Sequence, residues 1–127
     1  MTRQELEAVQ PDVKEISEEC IIPREQLFTG LNHLFVGKEH SAPITFFWVR
    51  SPPGHGPRLH RHPYMEVFIV DEGQATFTLG DKTVMVEGGR VVIVTKDTPH
   101  KFVNSGLTEL RLIAVHCSSE TISEYLE

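Results

Sequence analysis

The chain has few cysteines and no long apolar run, and both shortages exclude classes of protein. Only two cysteines, Cys20 and Cys117, occur among the 127 residues, and no Cys-x-x-Cys pair is present. A disulfide scaffold and a thiolate zinc site are therefore disfavoured, and we expect both thiols to be reduced and structural. No apolar stretch approaches the roughly 18 residues of a membrane helix. The first residues also lack the basic and apolar regions of a secretory signal, so we expect a cytoplasmic protein with no membrane segment.

Basic residues are also scarce. Lys and Arg number 12 against 18 Asp and Glu, which gives a net charge of −6. Much of the acidic excess lies at the ends: residues 1–25 hold seven acids and three bases, and residues 117–127 hold three acids and no base. Without a basic stripe the chain has no means of holding a phosphate backbone, so we expect no nucleic-acid partner. The acidic ends are interpreted as solvated surface.

What the chain does contain is a series of short segments rich in β-branched and aromatic residues, each closed by turn residues. They predict strands over 44–50, 74–79, 83–87, 91–95, 100–104 and 109–117, with shorter strands at 27–28 and 31–36. Strands at short spacing without intervening helices indicate an antiparallel barrel or sandwich. Trp48, in the first long strand, is expected in the core.

The ends of the chain are predicted to differ from this barrel. Two weak capping patterns precede residue 20, and Pro11 interrupts the first, so a short helix or irregular lead-in is expected. Near the other end, Ile122, Tyr125 and Leu126 would share one face of a short helix. The prediction is one domain over 1–127, with an N-terminal extension 1–26, a barrel at about 27–117 and a C-terminal helix 118–127.

One segment concentrates residues that can bind a metal. His60 and His62 are two residues apart and Glu66 follows four later, so all three point to the same side of an extended chain. Imidazole suits zinc, copper, iron and nickel, whereas carboxylate suits harder ions, and the mixture fits a borderline divalent metal. His100, on a later strand, is the fourth candidate.

The same residues carry a family resemblance. The pattern Gly54-x5-His60-x-His62-x3-Glu66-x6-Gly73 resembles the first motif of the cupins at every specified position. The pattern Gly89-x5-Thr95-x-Asp97-x2-His100-x3-Asn104 resembles the second motif, with Thr95 where proline is usual and Asp97 where glycine is usual. The resemblance covers about residues 44–117.

This resemblance implies a small antiparallel double-stranded β-helix, also called a jelly roll, that forms a homodimer and holds a metal. The implied ligands are His60, His62, Glu66 and His100. Three neutral imidazoles and one carboxylate leave a divalent ion with a net charge near +1, and an octahedral ion keeps two positions open. Zinc prefers four ligands, so an active site favours Mn, Fe, Ni or Co, while the affinity order favours Cu or Ni. The residues therefore predict one divalent transition metal, which is Mn, Fe, Ni, Co, Cu or Zn.

Three residues near the predicted ligands each have two possible roles. Arg58 could hold an anionic ligand in the barrel or lie at the solvent rim. Tyr64 could donate a proton or pack at the barrel mouth. His55 could be a gate or general base, although an exposed loop histidine is the more common case. On the last strand, His116 shares its parity with apolar residues and is expected to be a core histidine.

The remaining candidates shape the pocket. Asn104 is expected to bond the backbone of the turn that follows it, alongside the motif glycines. Four phenylalanines are expected to line or close an apolar cavity around the metal: Phe46, Phe68, Phe77 and Phe102.

An apolar pocket with one metal and few acid–base groups suits chemistry that depends on the metal. The first hypothesis is an oxygen-dependent dioxygenase, or a related enzyme that stabilises an enolate, acting on a small molecule with two oxygen ligands while Glu66 or Tyr64 moves a proton. A redox-neutral isomerase or lyase is a close variant. A non-enzymatic cupin that binds or senses a small ligand is the alternative from another class.

Overall fold

The computed structural model of the protein describes residues 20–127, and the predicted N-terminal lead-in falls mainly outside these described residues. Two single-turn 3₁₀ helices, Arg24–Leu27 and Gly37–His40, flank the first strand. The strands of the described part are β1 His33–Phe35, β2 Thr45–Ser51, β3 His60–Arg61, β4 Glu66–Glu72, β5 Gln74–Leu79, β6 Lys82–Glu87, β7 Arg90–Val94, β8 His100–Asn104, β9 Leu110–His116 and β10 Glu124–Tyr125. Between Cys20 and Glu127, no helix has the length and apolar character needed to cross a membrane.

The strands form two five-stranded sheets. One has the order β1-β2-β9-β4-β7 and the other the order β10-β3-β8-β5-β6, and all neighbours are antiparallel. Alternate residues of each long strand point between the sheets, as β9 shows with buried Leu110, Leu112, Ala114 and His116. The predicted all-β antiparallel double-stranded β-helix is confirmed.

The outer face of the first sheet is also apolar. Ile69 on β4 pairs with Val91 on β7, and both side chains are well exposed, as is Ile93. Trp48 lies on the same outer face of β2 with 37% of its surface exposed, and the Arg24 guanidinium stands 5.0 Å from its ring centroid. The expectation that Trp48 lies in the core is therefore wrong, because strand alternation turns it outward.

The predicted helix over residues 118–127 is also wrong. This segment, which we call the C-terminal strap, runs along the open edge of the second sheet, where β10 pairs with β3. The Leu126 amide donates to the Leu59 carbonyl at 2.9 Å, and Arg61 forms an ion pair with Glu124 at 3.1 Å. Ten residues gain little from an isolated helix, whereas the edge strand offers unpaired backbone groups. Pairing with the sheet thus replaces the helix.

Candidate metal centre

The two sheets bring four potential metal ligands together at one end of the barrel. His60 lies on β3, directly opposite His100 at the start of β8. His62 follows β3, and Glu66 begins β4 after a short turn, so the expectation that one extended segment carries His60, His62 and Glu66 is wrong. One donor atom from each of these four residues lies within 4.8 Å of the others. All four side chains are nearly or fully buried. The fold therefore places the predicted cluster in the interior.

Backbone carbonyls orient all three imidazoles. Nδ1 of His60 lies 2.6 Å from the Arg58 carbonyl, and Nδ1 of His100 lies 2.8 Å from the Thr98 carbonyl. Nδ1 of His62 lies 2.8 Å from the carbonyl of Ile122, which comes from the C-terminal strap. A carbonyl only accepts, so each Nδ1 carries the proton, and each neutral ring turns the lone pair of Nε2 inward.

Glu66 lies where these lone pairs converge. Its Oε1 is 2.9 Å from His100 Nε2 and 3.0 Å from His62 Nε2, and its Oε2 is 3.2 Å from His116 Nε2. Burial alone would raise the pKa of this carboxyl, but the surrounding imidazoles of His100, His116 and His62 outweigh burial and hold the pKa well below its usual range. The carboxylate is therefore ionised. Burial also lowers the pKa of His60, which favours its neutral, ligating form.

This arrangement fits a bound cation. With Nδ1 protonated, neutral His62 and His100 would each turn a lone pair toward a carboxylate oxygen, which is repulsive without a cation between them. His62 Nε2 is buried and lies outside hydrogen-bonding geometry, so this atom is left without a partner. Imidazole nitrogens and one carboxylate are the donor set of a divalent transition metal. The four predicted ligands thus meet the requirements of a metal site.

The contact of His116 with the metal site was not predicted from the sequence. Its side chain points between the sheets with the apolar residues of β9, as its parity predicted, but this end of the interior is the metal site. It pairs with Glu66 across β4 and β9. Its Nδ1 is 2.6 Å from the Tyr64 hydroxyl. The oxygen of that hydroxyl accepts a hydrogen bond from the Ile122 amide at 3.2 Å. Tyr64 stacks on His62 and reaches Glu66 only through His116.

A cavity of about 330 Å³ opens from the metal site to the surface. Its inner wall combines ligand residues with apolar side chains, among them Phe47, Val49, Phe68, Phe102 and Ala114. Exposed residues of the loop after β2 and of the C-terminal strap, including His55, Thr121, Ser123 and Tyr125, form its outer part. This volume is in the range of small-molecule sites.

Only two of the four phenylalanines expected around this cavity contribute to its lining. Phe68 and Phe102 line it. Phe77 is fully buried behind them, with its ring centroid 5.1 Å from that of Phe68, and lies outside the cavity lining, so the expectation for Phe77 is wrong. Phe46 lies on the outer face of β2 and stacks on Phe35, so the expectation for Phe46 is wrong. The cause is strand parity, since Phe47 is the residue of β2 that faces inward.

The two loop candidates also differ in position. His55 borders the cavity and is exposed. Arg58 lies outside the cavity lining, with its guanidinium 4.6 Å from the Tyr125 ring centroid and 3.4 Å from the Glu127 carbonyl. Arg58 therefore lies at the rim, where it packs against the C-terminal strap.

The motif positions outside the ligand set shape turns. Gly54, Gly73 and Gly89 all have positive φ. At Gly73 a Cβ would also come within 2.9 Å of the Glu109 carbonyl, so this tight approach requires glycine. Asp97 has φ 62°, the conformation that the usual glycine would adopt, and its amide donates to the His62 carbonyl at 2.7 Å. Asp97 in place of the usual glycine thus preserves the turn before His100.

Asn104 connects the end of β8 to the end of β2 and to the turn before β9. Its side-chain amide donates to the carbonyls of Ser51 and Thr108, both at 2.8 Å, and its Oδ1 accepts from the Gly106 amide at 2.9 Å. The side chain is 2% exposed, so these bonds are shielded from water.

Comparisons with known proteins agree with this architecture. The family described as the cupin domain matches residues 47–116. An oxalate-binding protein of Thermotoga maritima is 29% identical over 77 residues, which are 60% of this chain and 64% of that protein. The chain thus covers less than two thirds of that relative's length.

Two solved structures share the fold. A protein with a double-stranded β-helix domain from Klebsiella pneumoniae has a TM-score of 0.68 and 17% identity, covering 84% of this chain and 96% of that one. The oxalate decarboxylase of Bacillus subtilis, studied for its Mn(II) centres, has a TM-score of 0.68 and 21% identity, covering 75% of this chain and 27% of that one.

Proposed function

Because the chain belongs to the cupin family, whose match covers more than half of its length, we propose that it binds one divalent transition metal and oxidises a small organic ligand with dioxygen. The observation that carries the proposal is the set of three histidines whose Nδ1 atoms donate to backbone carbonyls. This arrangement turns three Nε2 atoms toward one buried carboxylate.

The residues that would hold the metal are His60, His62, Glu66 and His100. A bound divalent ion supplies Lewis-acid polarisation of ligand oxygens and, when it is redox-active, electron transfer with dioxygen. The surrounding carbonyls fix the orientation of the imidazoles before any ligand arrives. The proton movement expected of Glu66 and Tyr64 would run through His116, which contacts both side chains.

The shape of the cavity favours a ligand with two oxygen donors at one end and an apolar body. Hydroxyketones, enediols and β-dicarbonyls have this form. Phe47, Phe68 and Phe102 provide the apolar wall and would exclude water from the reacting end of the ligand. Because this wall is apolar, it favours an uncharged ligand body.

A second candidate function is the binding of a small ligand without catalysis. The relative from Thermotoga maritima is named for oxalate binding, and oxalate also offers two oxygen donors. Family membership alone does not confer catalysis. A redox-neutral isomerase or lyase would use the same metal and ligand.

Metal content and oxygen uptake test these functions together. Protein purified without chelator should contain about one equivalent of Mn, Fe, Ni, Co or Cu, and should consume oxygen with a member of a panel of diketones, hydroxyketones, flavonols and oxalate. His100→Ala should lose the metal, whereas His40→Ala, at an exposed histidine, should keep it. Metal with ligand binding but no oxygen uptake would favour the binding or redox-neutral alternatives. Full metal content in His100→Ala would refute the ligand assignment.

We also propose that the protein is a homodimer. The outer face of the first sheet carries apolar side chains from four adjacent strands, namely Phe46, Trp48, Val67, Ile69, Val91, Ile93, Ile113 and Val115. A second copy would bury this face. Light scattering should give twice the chain mass, and Ile93→Glu should give the monomer with unchanged metal content. A monomeric parent protein would refute the dimer.

A further inference from the structure

His116 is a buried histidine that the predicted ligand set leaves without a role. It is 4% exposed, lies opposite Glu66 in the register of β4 and β9, and has both ring nitrogens in contact with polar groups. Nε2 is 3.2 Å from Glu66 Oε2, and Nδ1 is 2.6 Å from the Tyr64 hydroxyl. Its position beside the metal site needs an explanation other than packing.

The contacts give His116 the opposite tautomer from the three ligand histidines. A carboxylate oxygen accepts, so the Nε2 that faces Glu66 carries a proton. In the neutral ring Nδ1 is then an acceptor, which matches its partner, because a tyrosine hydroxyl can donate where a carbonyl cannot. The hydroxyl oxygen of Tyr64 accepts in turn from the Ile122 amide. The chain of hydrogen bonds therefore runs from the strap amide through Tyr64 and His116 to Glu66.

This tautomer separates His116 from the ligands. His60, His62 and His100 turn Nε2 lone pairs inward, whereas His116 turns an N–H group inward. That N–H meets only Oε2 of Glu66, while Oε1 faces His62 and His100. The two carboxylate oxygens are thus made unequal.

We propose that His116, held by Tyr64, is a positioning residue that occupies Oε2 of Glu66 and leaves Oε1 as the single oxygen available to the metal. The inference rests on the metal site of the proposed function. A carboxylate that binds through one oxygen leaves one more coordination position for a bidentate ligand than a carboxylate that binds through two. His116 would in this way keep the metal open to the cavity.

The test uses the Co²⁺-loaded full chain, because the visible absorption of Co²⁺ reports its coordination number without any substrate. His116→Leu should free Oε2, raise the coordination number and weaken the visible bands. In the infrared difference between metal-loaded and metal-free protein, the separation of the two carboxylate stretches should decrease. His116→Gln, whose amide can still donate to Oε2, should restore both signals toward those of the parent protein. Tyr64→Phe keeps the Nε2 donor and should shift them less than His116→Leu.

The outcomes separate this inference from the proposed function. A parent protein that binds no Co²⁺ overturns both. Unchanged spectra in a metal-loaded His116→Leu overturn only the positioning role. Loss of Co²⁺ in both His116→Leu and His116→Gln, with circular dichroism showing a folded barrel, would make His116 a ligand and likewise overturn it. If His116→Leu does not fold, the spectra of His116→Gln decide. Spectra that match those of the parent protein support the positioning role. Spectra that differ from the parent as much as those of metal-loaded Glu66→Gln overturn that role.

Discussion

Removing the end of the C-terminal strap should weaken metal binding although it removes no ligand. Deletion of residues 121–127 takes away the Ile122 carbonyl, which accepts from His62 Nδ1 at 2.8 Å, and the Ser123 hydroxyl 3.1 Å from the same nitrogen. It also removes β10 and exposes His60, which pairs with Tyr125. His62 would then lose its fixed orientation and tautomer.

The size of this effect follows from the role of such outer contacts. Loss of the partner of a metal-bound histidine typically lowers metal affinity by about 10- to 100-fold, which corresponds to about 1.4 to 2.8 kcal/mol. Both partners of His62 Nδ1 are lost here, so we expect a decrease within this range. The barrel between β2 and β9 keeps its core, since every buried apolar residue of the described core lies at or before Ala114.

Competition with a chromophoric chelator measures the affinity of the truncated and full chains for Co²⁺ or Mn²⁺. Arg61→Ala is the control, because it breaks only an exposed ion pair with Glu124, worth about 0 to 1 kcal/mol. Thermal unfolding of the metal-free proteins shows whether the truncated barrel is folded. A folded truncation with the affinity of the full chain would refute the assigned role of the Ile122 carbonyl.

Three further predictions concern stability, pH and the cavity rim. Asn104→Ala should lower the free energy of unfolding by about 2 to 4 kcal/mol, because it leaves buried backbone groups unpaired, and chemical denaturation measures this loss. The pKa of Glu127 is lowered by the Leu59 amide and by Lys101, so the contribution of Glu127 to strap docking should be fully present above the free value of 4.5 and be lost as the pH falls through the lowered pKa. The NMR shift of the Leu59 amide measures this contribution. Arg58→Ala should change the affinity for an anionic ligand by less than about threefold, since Arg58 lies outside the cavity and exposed charges contribute little, as calorimetry would show.

Each of these outcomes can fail. An unfolding free energy of Asn104→Ala within 0.5 kcal/mol of the parent, the usual range of a surface substitution, would show that water replaces its three bonds. A Leu59 amide shift that is independent of pH in Glu127→Gln and in the parent alike would remove Glu127 from strap docking. A tenfold loss of anion affinity in Arg58→Ala, about 1.4 kcal/mol, would place its guanidinium over the cavity.

The barrel strands were predictable because their signals are local. The segments 74–79 and 100–104 coincide with β5 and β8, and their alternation and turn residues depend on a few neighbouring positions. The strap could not be predicted in this way. Its residues suit a short helix in isolation, and only the unpaired edge of β3 makes a strand more favourable.

The same distinction applies to the metal site. The motif spacing identified the four residues that lie together. Parity along one strand is not the reason, because a turn separates His62 from Glu66, which begins a strand of the other sheet. Parity predicted that His116 points inward, but the sequence did not show that its strand ends opposite Glu66. Phe46 and Phe47 show the limit of parity itself, because a shift of one residue exchanges the two faces of a strand.

The sequence by itself determined the fold class, the turns and the ligand types of this cupin, because each depends on local spacing and on the chemistry of the side chains. Only the tertiary structure decided which groups surround the ligands. The Ile122 carbonyl on His62 and the contact of His116 with Glu66 join residues 60 and 50 positions apart in the chain. Contacts over such separations are set by sheet register and strand order, which the pattern of a single segment does not contain.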